Sequence, residues 1–203
     1  MAATVTSIEL VLHSAEANWD RERWDELPND GNRYEIIDGV LYLSTAPSLF
    51  HQWISGQLQR LFYRQIDERG LGLTFDAPVG LFMPGCDLVQ PDVMVLRIAD
   101  QALILEQRAE TIPLLLVEIL SPSNSQHDLS TKRQAYARAG VPEYWVIRPQ
   151  ERDLLLHSEP EPTSGQFLRV QRVALDEELV SVTLPIRTPL AALFALPEAP
   201  PRA

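Results

Sequence analysis

Two carboxylates stand where a water-soluble chain does not ordinarily place charge. Glu118 lies near the end of Leu114-Leu115-Leu116-Val117-Glu118-Ile119-Leu120, a run apolar enough to be buried on both faces of a strand. Asp92 stands in Pro91-Asp92-Val93-Met94-Val95-Leu96, where an apolar strand begins and where a proline is tolerated as the first residue. An ionised carboxylate in such a place must be protonated, paired with a base or bound to a metal, because burying it bare is prohibitively costly. If the two strands are neighbours, the carboxylates lie about 5 Å apart on one face. Like charges that close either share a proton or ligate a cation. The purely structural alternative is a capped turn at Asp92 and an arginine partner for Glu118.

A third residue is unusual by its type. Of 17 basic residues, Lys132 is the single lysine and the other 16 are arginine. Either compositional drift left one lysine behind, or the site needs a compact ammonium that a planar guanidinium does not replace. Lys132 falls four residues after Asp128, the expected N-cap of a helix, near the positive end of the helix dipole, where a lysine is slightly disfavoured. Tyr136 follows at i+4 on the same helical face, so both side chains can point at the strand end carrying Glu118. A surface Asp128–Lys132 pair and a core tyrosine are the plainer alternative. His51, in the first turn of another helix, could reach the site or bind a phosphate as imidazolium, although a packed or capping histidine is the commoner role. Ser121 and Ser123 flank Pro122 after the Glu118 strand and either donate to a phosphate or cap the turn. His127 and His157 have no partner at metal-ligand spacing and are expected at the surface, and Trp53, Phe62 and Trp145 in the core.

These residues need elements to hold them. Residues 1–30 read as an acidic lead-in, with Trp19 and Trp24 packing on the body and a turn at Pro28-Asn29-Asp30-Gly31. Tyr34–Leu43 reads as two short strands around Asp38-Gly39, a strong hairpin signal. Ser48 caps a helix whose apolar residues Leu49, Phe50, Trp53, Ile54, Leu58, Leu61, Phe62 and Ile66 share one face, ended by Gly70. Three strands follow, Leu73–Met83 broken at Pro78, Leu88–Leu96 and Pro113–Leu120. A helix over Asp128–Ala139 ends at Gly140, and further strands are expected at Glu143–Ile147, Leu154–His157, Gln166–Val173 and Leu179–Thr183. The order predicts a mixed sheet with helices against it, α/β or α+β, in a single domain over 31–196, with a Pro/Ala-rich tail at 197–203.

The 203 residues, 45% hydrophobic and 22% charged, suit one core better than two and exclude a fibrous or wholly disordered chain. No apolar run approaches the roughly 18 residues of a membrane span, and no basic-then-apolar leader opens the chain, so a cytoplasmic protein is expected. Cys86 is the single cysteine, which excludes an internal disulfide or a Cys-based zinc site. The net charge of −11 argues against broad, salt-driven affinity for nucleic acid. Residues 1–38 hold 3 basic and 9 acidic groups, whereas 121–152 hold 5 basic and 3 acidic. Any DNA contact would be local to the latter stretch.

Taken in order, Arg33-Tyr34-Glu35-Ile36-Ile37-Asp38-Gly39, Pro47-Ser48 with His51, Pro91-Asp92-Val93, Val117-Glu118-Ile119-Leu120-Ser121-Pro122-Ser123, Asp128 with Lys132 and Tyr136, and Gly140-Val141-Pro142-Glu143-Tyr144-Trp145-Val146-Ile147 resemble the Uma-two family of restriction-endonuclease-like proteins, a branch of the PD-(D/E)xK nuclease superfamily. The resemblance covers roughly residues 33 to 157. It implies a restriction-endonuclease-like core with an extra N-terminal hairpin and C-terminal strands. It also implies Asp92 and Glu118 as ligands of Mg²⁺ or Mn²⁺, and Glu35 as a further acid ordering the metal's water shell. The superfamily lysine stands two residues after the second acid, where this chain has Leu120; the resemblance moves that role to Lys132 on the next helix. The implied activity is hydrolysis of DNA phosphodiester bonds, for which a two-stranded break would make a symmetric homodimer plausible by analogy. Two other functions fit the residues: an interaction module with a vestigial acidic cluster, and a hydrolase of a smaller phosphate ester, which net acidity tolerates better.

Overall fold

The computed structural model describes residues 11–28, 30–44, 47–106, 108–121 and 127–197, with 11 and 127–129 as backbone alone. Strand β1 (Val11–His13) precedes a short helix, α1 (Arg21–Asp25), whose N-cap Asp20 accepts from the Arg23 N–H at 3.0 Å. Strands β2 (Arg33–Ile37) and β3 (Val40–Ser44) form the expected hairpin, with Ile37 opposite Val40. Asp38 and Gly39 both have positive φ, 52° and 74°, as a type I′ turn requires. A Cβ on Gly39 would stand 2.9 Å from the Ala17 carbonyl oxygen, so the segment before α1 is pressed onto the turn. The lead-in is thereby woven into the fold: β1 pairs with β3, and the Trp24 indole N–H donates to the Tyr34 carbonyl at 2.8 Å.

Ser48 caps α2 (Leu49–Phe62), its hydroxyl accepting from the His51 N–H, and the helix continues through a widened π-turn over Tyr63–Asp67 that keeps Ile66 buried. Two details differ from expectation. Leu49 and Phe50, in the first turn, face solvent, and Trp53 is half-buried with its N–H donating to the Ala195 carbonyl at 3.0 Å. A tryptophan whose polar edge needs a partner sits well at such a rim.

Next come β4 (Leu73–Asp76), β5 (Gly80–Met83), β6 (Cys86–Val89), β7 (Val93–Leu96), β8 (Arg108–Glu110) and β9 (Leu115–Ile119). The region read as three strands thus contains six: each of the first two long runs divides at a proline, Pro78 and Pro91, and β8 is a further strand in the stretch between the second and third runs, where none was expected. The halves enter different sheets: one is ordered β1-β3-β2-β6-β5-β8, the other begins at its edge with β4, β7 and β9. The second is completed by β10 (Glu143–Arg148), parallel to β9, and by β11 (Asp153–Glu161) and β12 (Gln166–Val173). A π-turn over His127–Lys132 leads into α3 (Arg133–Ala139), which Gly140 ends at φ 77° with its N–H returning to Tyr136 and Ala137. The expected Asp128 cap and Ser123 lie outside the described side chains. Strands β13 (Glu178–Val180) and β14 (Arg187–Pro189) form a small ribbon before α4 (Ala191–Phe194).

Alternation along the second sheet divides the core. Val93, Val95, Leu115, Val117, Trp145 and Ile147 pack with α2, and the C-terminal Leu179, Ile186, Leu190 and Phe194 cover that side. Met94, Leu96, Leu116, Tyr144 and Val146 face α3 and the first sheet. The architecture is the mixed α/β arrangement expected, with two six-stranded sheets. His157 is not a surface residue: only 2% exposed, it lies between the rings of Tyr144 (5.3 Å) and Phe167 (5.7 Å). Burial and the nearby Arg133 charge hold its pKa down to about 4, so it is neutral there. Among the described residues, no helix is long and apolar enough to cross a membrane.

Candidate active site

The site forms where the chain passes from β6 in the first sheet to β7 in the second, through Gln90-Pro91-Asp92. Gln90 fastens the passage on three sides. Its backbone N–H donates to Glu35 Oε1 at 2.8 Å, its side-chain oxygen accepts from the Tyr34 N–H at 3.2 Å, and its amide nitrogen donates to the Pro78 carbonyl at 3.1 Å. Pro91 removes a backbone donor at the break, which lets the chain leave one ladder and enter the other.

Asp92 is 3% exposed and fully engaged. Arg33 Nη1 lies 2.5 Å from Oδ1, while Oδ2 meets His51 Nε2 at 3.0 Å and accepts the Ile119 N–H at 2.7 Å. Burial opposes its ionisation, but the fields of His51 and Arg33 and the bonds from His51 and Ile119 prevail and hold the carboxyl well below the usual range. Burial also disfavours the charge on Arg33, yet Asp92, Glu118 and Glu35 keep its pKa above the ordinary guanidinium value.

Glu118 and Glu35 share one cation. Lys132 Nζ stands 2.9 Å from Glu35 Oε1 and 3.0 Å from Glu118 Oε1, with all three side chains no more than 3% exposed. Tyr136, one helical turn on, donates its hydroxyl to Glu118 Oε1 at 2.7 Å. Burial first, and then the Glu118 and Glu35 charges, push the Tyr136 pKa well above that of a free phenol, so it remains a donor. The surface-pair alternative for Lys132 is therefore excluded. Antiparallel pairing sets Val93 opposite Val117, so the next positions outward are Asp92 and Glu118. Ser121 is buried just past that strand end.

All seven singled-out residues are buried here: Glu35, Asp92, Glu118 and Lys132 with Tyr136, His51 and Ser121 around them. Two partners were not singled out, Arg33 and Gln90. Arg33 begins the hairpin strand and carried a signal as the only base in Arg33-Tyr34-Glu35-Ile36-Ile37-Asp38; Gln90 carried none beyond its place before Pro91. Two facing carboxylates are the oxygen donor set that Mg²⁺ or Mn²⁺ takes, since such ions need one or two carboxylates and keep several waters. Among the described residues no group of three or more His, Cys, Asp or Glu is arranged as a ready metal cage.

A family model, Uma2, described as "Putative restriction endonuclease", matches residues 21–191. The chain belongs to the Uma2 family. Its fold is shared by a solved structure described as a putative nuclease belonging to DUF820 from Anabaena variabilis ATCC 29413, with a TM-score of 0.71 over 85% of this chain and 96% of that one. At 17% identity the likeness is one of fold. No protein of curated function matches the sequence. In this Uma2 chain Arg33, Glu35, His51, Asp92, Glu118, Lys132 and Tyr136 thus converge on one buried cluster drawn from both sheets and two helices.

Proposed function

We propose that this Uma2 chain is a metal-dependent hydrolase of phosphodiester bonds in DNA, with Asp92 and Glu118 holding Mg²⁺ or Mn²⁺. The observation that carries the reading is the facing of these two buried carboxylates across β7 and β9, with the chain's single lysine on the second. When bound, such an ion lowers the pKa of a coordinated water and neutralises phosphate oxygens. The Lys132 ammonium, between Glu35 and Glu118, orients the attacking water and offsets negative charge developing on the phosphate. Glu35 would order the ion's water shell by accepting hydrogen bonds from it. Tyr136 fixes the Glu118 rotamer through its hydrogen bond, His51 does the same for Asp92, and Ser121 donates to a phosphate oxygen at the strand end.

The test is calorimetry with Mg²⁺ and Mn²⁺ on the wild type and Glu118→Ala, followed by cleavage of duplex and single-stranded DNA. Binding by the wild type that is lost in Glu118→Ala, with metal-dependent nicking, is the expected result. Lys132→Arg should bind metal but cleave at least about tenfold more slowly, because a planar fork replaces a point charge. Unchanged cleavage would remove the role given to Lys132. The net charge of −11 favours a second substrate class, a smaller phosphate ester. Turnover of bis(p-nitrophenyl) phosphate without DNA cleavage would select it.

A further inference from the structure

Under the proposed function, Asp92 must offer its carboxylate to a cation, yet every oxygen of that group already meets a protein donor. Oδ2 is bound on one side by the Ile119 backbone, which cannot leave without opening the β9 edge, and on the other by His51. Oδ1 is held by Arg33 at 2.5 Å. Arg33 differs from the other cation of the cluster in its surroundings. Lys132 is 2% exposed between two carboxylates, whereas Arg33 is 17% exposed, at the first position of its strand, on a side chain long enough to swing. A guanidinium fork fits a carboxylate and a phosphate equally well, so it can exchange one for the other without loss of pairing geometry.

We propose that Arg33 is the resident counter-cation of the metal site. It occupies the Asp92 oxygen that a divalent ion takes, it must release that oxygen for the ion to load, and once released it binds the phosphodiester. The proposal rests on the metal-dependent reading above. It couples loading to substrate: an ion entering alone must displace a buried ion pair, whereas an ion entering with a phosphate gives Arg33 a new partner at once. The Arg33 charge then always has an anionic partner, which its buried surroundings require. In the absence of nucleic acid, the protein should bind Mn²⁺ weakly because of Arg33 and not because its carboxylates are poorly placed.

The experiment is Mn²⁺ calorimetry without nucleic acid on the wild type, Arg33→Gln and Asp92→Asn, with Mg²⁺ titration of ¹⁵N-labelled wild type followed at the Arg33 Nε–H resonance. Arg33→Gln should bind Mn²⁺ about tenfold or more tightly than the wild type, a gain that loss of a merely structural arginine would not produce. Asp92→Asn should not bind, and the Arg33 resonance should move as Mg²⁺ saturates. Equal or weaker binding by Arg33→Gln, with binding still abolished in Asp92→Asn, overturns the counter-cation and leaves the metal site standing. Absence of binding by all three proteins overturns the metal reading and this inference with it. Should Arg33→Gln fail to fold, the wild-type resonance decides: an Arg33 signal unmoved at saturating Mg²⁺ overturns the proposal.

Discussion

Replacing Lys132 by methionine tests whether the acidic cluster is held together by one ammonium. Methionine has nearly the same length and an adaptable chain, so the substitution removes charge while leaving little void. At the observed 2.9 and 3.0 Å, each lysine–carboxylate attraction is about 5.5 kcal/mol at an effective dielectric of about 20, before the cost of drying the ammonium is subtracted. Removing one partner of a buried ionic group typically costs about 3–5 kcal/mol, because the remaining charge is stranded. Lys132→Met is therefore expected to lose about 3–5 kcal/mol in urea denaturation at pH 7, followed by tryptophan fluorescence. Glu118→Gln added to Lys132→Met should restore much of the loss, since it removes one of the two facing charges. A loss below about 1 kcal/mol would refute the account of a cluster coupled through Lys132.

Two further outcomes concern buried groups away from the site. His157 has a pKa of about 4 when folded and titrates near 6.5 when unfolded, so its contribution is complete above pH 6.5 and is lost as pH falls to 4, about 3 kcal/mol in all; His157→Phe should flatten that part of the acid limb relative to wild type in pH-dependent urea melts, and an unchanged limb would contradict it. Glu143 is fully buried and accepts from the Trp145 indole, the Ser181 and Thr183 hydroxyls and the Val182 and Thr183 N–H groups, so Glu143→Ala strands several donors and should cost about 3 kcal/mol or more, read as a fall in the urea midpoint.

The parts of the molecule legible in the sequence are those where one residue contradicts its neighbours. A carboxylate inside Leu114–Leu120 demands a partner wherever the strand goes, and Lys132 with Tyr136 at i+4 names a face that can supply it. Capping at Ser48, the Asp38-Gly39 turn and the Gly140 stop are local events, and local chemistry reveals them. The division of Leu88–Leu96 between two sheets is not of this kind. An apolar run looks the same whether it is one strand or two joined at a crossing, since periodicity reports the burial of a face and not which sheet provides it. For the same reason Arg33 could not be matched to Asp92, 59 residues away: the purely structural alternative gave an arginine to Glu118 and a capped turn to Asp92, whereas the arginine pairs with Asp92. His157 was misplaced because its burial comes from two rings supplied by Tyr144 and Phe167 rather than from any ligand spacing.

The passage of the chain from sheet to sheet at Gln90-Pro91-Asp92 also bears on the order in which the protein can be made. Asp92 finds Arg33 across 59 residues and His51 across 41, and Glu35 waits for a lysine farther along still. Each of these closures is an entropic expense met only when distant stretches have been synthesised and brought together. On the ribosome, a nascent chain that has not yet released Lys132 must keep Glu35 in water, and the first sheet cannot seal over it. Assembly of the acidic cluster is thus a late event, and the proposed site comes into being only in molecules whose two sheets have already closed.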